Sequence, residues 1–123
     1  MSFQKYLGVL LGLSVLISCG GSSENNTSTP VQDGTVRVIT YDNQSFNDDL
    51  YEAEAGLVKI EYSLDGFQLH TLVIEGLEES LKLEVGDNKI DSGEIELEAG
   101  RYILYCDVAG HRGSGMEAKL LVS

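Results

Sequence analysis

The chain has 123 residues, of which 42% are hydrophobic, and its 20 acidic against 8 basic side chains give a formal net charge of −12. So acidic a protein is a poor match for nucleic acid, since phosphate recognition requires the opposite sign. Two Cys, two His and two Met exclude any site that needs many thiolate or imidazole ligands, and leave no disulfide framework once each cysteine has a separate duty.

In chain order, Lys5 gives a short basic start, and Leu7 to Ile17 is an apolar run interrupted only by Gly and Ser. The run falls short of the roughly 20 apolar residues that span a bilayer, so residues 1–18 read as a signal peptide. The tetrad Leu16-Ile17-Ser18-Cys19 resembles a bacterial lipoprotein box. That resemblance implies cleavage before Cys19, lipidation of its thiol, and anchorage at a bacterial cell membrane on its periplasmic or extracellular face. An ordinary signal peptide, or an uncleaved anchor with Cys19 incidental, is the alternative. Residues 19–34 are small and polar and hold the single Pro of the chain, a composition suited to a flexible tether. From Cys19 onward, 20 acidic face 7 basic side chains, a net charge of −13.

Residues 35–123 are enough for one domain with one core, and they alternate as strands do. Val58, Ile60 and Tyr62 oppose Lys59 and Glu61; Leu81, Leu83 and Val85 oppose Lys82 and Glu84; Ile95 and Leu97 oppose Glu94, Glu96 and Glu98. This period of two predicts half-buried antiparallel strands near 35–41, 46–53, 57–63, 69–75, 81–85, 94–98, 101–106 and 117–122, with no helix. Breakers separate them at Asp65-Gly66, Gly86-Asp87-Asn88, Ser92-Gly93, Ala99-Gly100 and the glycines from 110 to 115. The expected fold class is all-β: a Greek-key β-sandwich or barrel of about eight strands.

The last eighteen residues carry the chemistry. Cys106, His111 and Met116 are spaced Cys-x4-His-x4-Met, and His70 stands upstream. Two imidazoles and a thiolate in a trigonal plane, with a weak axial thioether, suit copper in both oxidation states. With Met1 as initiator and Cys19 given to lipid, every remaining ligand of copper type falls in this one set. Taken singly, a buried Cys or Met is more often plain core; the spacing of all four argues otherwise. Alternation puts His70 on a face with Leu72 and Ile74, Cys106 with Leu104 and Tyr102, and Met116 with Ala118, Leu120 and Val122. The ion is therefore expected at one end of the sandwich, under loop 107–115. Gly110, Gly113 and Gly115 would let that loop turn tightly.

From roughly Val36 to Val122 the domain resembles the cupredoxins, on the segments Phe67-QLHTLVIEG, Gly100-RYILYCDVAGHRGSGM and Ala118-KLLV. The resemblance implies an eight-stranded Greek-key sandwich, one type 1 copper ion on His70, Cys106, His111 and Met116, and one-electron transfer through the loop imidazole, His111. Two positions depart from the family: Ala109 stands where Pro is common, and Thr71 follows the first His where Asn is common, a position that in the family helps lock the strands and the thiolate. Multicopper oxidases and copper nitrite reductases need His beside the Cys, and here the neighbours are Tyr105 and Asp107. A binuclear electron-entry site needs a second Cys where Gly110 stands. No open coordination position or spare acid–base His remains, so an enzyme is not expected.

The leading expectation is a lipid-tethered, monomeric electron shuttle whose partners are redox proteins such as a basic c-type cytochrome or a terminal oxidase or reductase. Acidic clusters at Asp48, Asp49, Glu52, Glu54 and at Glu75, Glu78, Glu79, Glu84 offer steering charge. The alternative is a lipoprotein that stores or delivers copper without redox cycling. A cupredoxin-like fold that binds no metal is a third.

Overall fold

Nine strands occupy residues 33–123, the part of the chain described by a computed structural model. Cys19, the signal peptide and nearly all of the expected tether lie outside the described residues. Among the described residues no helix is long and apolar enough to cross a membrane.

The strands are β1 (Val36–Tyr41), β2 (Ser45–Phe46), β3 (Leu50–Ala53), β4 (Gly56–Asp65), β5 (His70–Ile74), β6 (Lys82–Val85), β7 (Ile90–Leu97), β8 (Gly100–Tyr105) and β9 (Glu117–Val122). One sheet runs β2-β1-β4-β7 and the other β3-β9-β8-β5-β6. Between them lies the core: Val36, Val38, Val58, Ile60, Tyr62 and Leu64 from the first sheet meet Leu72, Ile74, Leu83, Leu104, Leu120 and Val122 from the second. Period two is what allows this, since strands such as β1, β4, β6 and β9 turn their apolar set inward and their polar set outward, while the central β5 is buried along its whole length. The all-β sandwich expected from the sequence is the observed architecture.

Several details differ from expectation. The segment 46–53 is two strands in opposite sheets, not one. Asn47 makes the break: its backbone N–H donates to the Ile39 carbonyl at 2.8 Å, and its Oδ1 accepts the Ile39 N–H at 2.8 Å and the Tyr51 hydroxyl at 2.7 Å. Ser92-Gly93 is not a turn but the middle of β7, paired with Glu61 and Ile60. A Cβ on Gly93 would lie 2.8 Å from Leu81 Cδ1 and 3.2 Å from Leu83 Cδ2, so Gly stands there because the other sheet approaches closely. Nor are all pairings antiparallel, since β1 runs parallel to β4 and β3 parallel to β9.

The topology gathers five strand ends at one edge. Tyr41 pairs with Asp65, so β1 and β4 finish together, and β5 starts just beyond at His70. β8 runs antiparallel to β5, with Val73 opposite Tyr105, so β8 ends where β5 begins. β9 starts opposite it, with Tyr105 on Glu117. His70, Cys106 and Met116 stand at these ends.

Candidate metal centre

The loop between β8 and β9 is drawn tight by its own backbone. The Cys106 N–H donates to the Met116 carbonyl at 3.2 Å, closing the hairpin. The His111 carbonyl accepts from the N–H groups of Ser114 at 3.1 Å and Met116 at 3.2 Å, around a single 3₁₀ turn at Arg112–Ser114. Gly110 and Gly115 adopt φ of 83° and 106°, where a side chain would be strained. Gly113, expected to share that role, has no positive φ and sits within the 3₁₀ turn.

Folding in this way brings three of the four predicted ligands, His70, Cys106 and His111, together. Ligand atoms of His70, Cys106 and His111 all lie within 4.8 Å of one another. Cys106 Sγ is 3.6 Å from His111 Nδ1, and the two imidazole centroids are 5.1 Å apart. Met116 is fully buried at the mouth of β9, and His70 and Cys106 are also fully buried. His111 is half-buried, so among the three clustered residues it alone reaches toward solvent.

His70 tests what the cluster is for. Neither ring nitrogen has a hydrogen-bond partner although the side chain is wholly enclosed. An unpaired buried polar group costs about 1–3 kcal/mol, a penalty that a bound ion removes. Burial, and then the neighbouring His111, push the His70 imidazole down from the ordinary histidine range, which keeps it neutral with a lone pair to offer. Nε2 lies on the side of Asp42, at 3.8 Å. Two imidazoles, one thiolate and the buried thioether at the start of β9 fit one type 1 copper ion.

Sequence reasoning singled out the position after His70 as a lock on the thiolate but missed its partners. The Thr71 N–H donates to Cys106 Sγ at 3.3 Å. The Thr71 hydroxyl also lies 3.5 Å from the sulfur, but its one proton goes to Asp107 Oδ1 at 2.6 Å, the shorter contact and the charged acceptor. Asp107 returns its backbone N–H to Thr71 Oγ1 at 2.9 Å. The Thr71 bond, then Lys82 at 3.2 Å, hold the Asp107 carboxyl below its usual range. Thr71, at the position the resemblance marked as a lock on the strands and the thiolate, thus ties the His70 strand to the Cys106 strand. Its partner Asp107, and Lys82 which pairs with Asp107, gave no signal, because they are brought together only by strand register.

A second strap holds the loop from outside. The Arg112 guanidinium donates to Glu75 at 2.6 Å and Glu117 at 2.7 Å, and lies over the Tyr105 ring at 4.0 Å. The Tyr105 hydroxyl donates to Glu78 at 2.6 Å. Glu75 and Glu78, counted above as steering charge, are therefore partly committed to holding the loop beside His111.

No protein-family model matches the sequence, and no curated protein does. Solved structures match it in shape. Sodium-dithionite-reduced auracyanin from Roseiflexus castenholzii superposes with a TM-score of 0.64 at 13% identity, covering 73% of this chain and 97% of that one. Auracyanin A, a "blue" copper protein from Chloroflexus aurantiacus, gives 0.61 at 17% identity, covering 72% and 98%. Identity this low speaks to architecture only. The chain has the cupredoxin β-sandwich fold of these auracyanins.

Proposed function

We propose that this protein carries single electrons on one type 1 copper ion held by His70, Cys106, His111 and Met116. The observation that carries this reading is the enclosed His70, its two nitrogens unpartnered, beside a buried thiol and a second imidazole. When bound, copper supplies a one-electron couple between Cu(II) and Cu(I). The chain does the rest. β5 and the β8–β9 hairpin hold their donors in place through Thr71 and Asp107, so little rearrangement accompanies a change of charge at the centre. His111, half-buried on the loop, is the group through which an electron enters or leaves.

Two further elements belong to the proposal. Cys19 bears lipid and tethers the domain, through residues 20–34, to the exported face of a bacterial membrane. The partner is a basic redox protein, such as a c-type cytochrome, drawn by the net charge of −13 that remains from Cys19 onward.

The test is the visible spectrum of the full chain titrated with Cu(II). An intense band from thiolate-to-copper charge transfer, saturating at one ion and abolished in Cys106→Ala, is the expected result. Bound Cu(II) without that band overturns the reading, as does rapid loss of copper to a competing apo-protein together with sluggish exchange with a cytochrome.

A further inference from the structure

Asp42 lies just past the end of β1, and it is built into the turn that delivers His70. Its Oδ1 accepts the backbone N–H of Phe67 and that of Gln68, each at 2.9 Å, and its Oδ2 also lies 2.9 Å from the Phe67 nitrogen. Gly66 is required for this fit. A Cβ there would stand 2.5 Å from Asp42 Cγ and 2.8 Å from Oδ2, so any side chain would occupy the space of the carboxylate. The Gln68 and Phe67 bonds hold the Asp42 carboxyl below its usual range, so it carries its charge at neutral pH. That charge sits 3.8 Å from His70 Nε2, the nitrogen on the far side of the ring if Nδ1 takes the ion. A closing movement of roughly 1 Å brings Nε2–H into hydrogen-bond range.

We propose that Asp42 is a positioning residue for the ligand His70: its carboxylate takes the Nε2–H, fixes the tautomer that offers Nδ1 to copper, and makes the imidazole a stronger donor. The inference rests on the copper reading above. Metal-bound imidazoles commonly pass their second N–H to a carboxylate, which orients the ring and raises its basicity. A negative charge so placed stabilises Cu(II) over Cu(I), so Asp42 lowers the reduction potential. Among the described residues no other carboxylate pairs with His70, and the 66–68 turn that holds this one is the segment leading into β5.

Two variants of the full chain test this. Asp42→Asn keeps an oxygen for the Phe67 and Gln68 N–H groups, and so keeps the turn, but removes the charge. Gly66→Ala keeps the charge and displaces the carboxylate, at the cost of its Phe67 and Gln68 bonds and of a side chain at φ 158°, so it is read only in protein that keeps the charge-transfer band. Each is expected to weaken Cu(II) relative to Cu(I) by about tenfold, a rise in potential of about 59 mV for one electron. In the diamagnetic Cu(I) form, the ¹⁵N spectrum should show a protected His70 Nε2–H in the wild type and its loss to exchange in both variants. Should Asp42→Asn fail to fold, Gly66→Ala carries the test alone. An unchanged potential in folded variants that keep the charge-transfer band overturns the role of Asp42 and leaves the copper reading standing. Absence of the band in the wild type overturns both.

Discussion

Thr71→Val removes one oxygen and little volume from a residue that is 2% exposed, so the loss measures hydrogen bonding and not a cavity. Two bonds go: the 2.6 Å donation to Asp107 Oδ1 and the 2.9 Å acceptance of the Asp107 N–H. A bond to a charged group contributes about 1.5–3 kcal/mol and a neutral one about 1 kcal/mol. The Asp107 side chain is 31% exposed and keeps Lys82, so the lower end applies and the sum is about 2.5 kcal/mol. For a domain of this size that corresponds to a fall in Tm of about 10–20 °C. Thr71→Ser keeps both bonds and loses one methyl, costing about 1 kcal/mol, or about 4–8 °C. The assay is thermal unfolding of the metal-free full chain by circular dichroism, both variants beside the wild type. Thr71→Val should retain copper colour, because the backbone N–H to Cys106 Sγ survives the change. If Thr71→Val is no less stable than Thr71→Ser, the hydroxyl bridge between the two ligand strands is not stabilising and its place in the site is wrong.

Three further outcomes are expected. Cys19→Ala should release the protein from the membrane fraction or block its processing, read by fatty-acid labelling; label that persists without Cys19 refutes the anchor. Electron exchange with a basic c-type cytochrome should slow as ionic strength rises, since the Debye length is about 10 Å at 0.1 M salt, and a stopped-flow rate that ignores salt would remove charge steering. The folded metal-free protein holds His70 neutral where the unfolded chain takes up a proton below about pH 6.5. Its stability is therefore fully present above that pH and declines as pH falls below it. Denaturant midpoints from pH 7.5 to 5 should show this decline in the wild type and less of it in His70→Gln.

The clustering of His70, Cys106 and His111 was legible because its signal is local. Alternation fixed the side of the strand for His70, Cys106 and Met116, and a loop of nine residues left His111 few places to go. The pairings around them were illegible for the opposite reason. Thr71 and Asp107 stand 36 positions apart and Asp42 and Gln68 stand 26 apart, and only the register of β5 on β8 and the end of β1 make them partners. The split of 46–53 had a visible cause, since Asn47-Asp48-Asp49 places three residues poor in β propensity inside a supposed strand. Gly93 had none: Ser-Gly spells a turn unless the facing sheet is known to press on it.

The parallel pairing of β3 with β9 joins Leu50 to Lys119 and Ala53 to Val122, among the longest separations the described chain contains. Contacts of that kind form only after a large loop has closed, so folding belongs on the scale of milliseconds to seconds typical of sheet proteins with distant pairings. β9 lies between β3 and β8, and Met116 leads directly into it. Cys106 is placed by the pairing of β8 with β5, whereas the loop that follows it, with His111, is closed by β9. Pinning of the loop that bears His111 and formation of the most distant strand pairing therefore depend on the same strand.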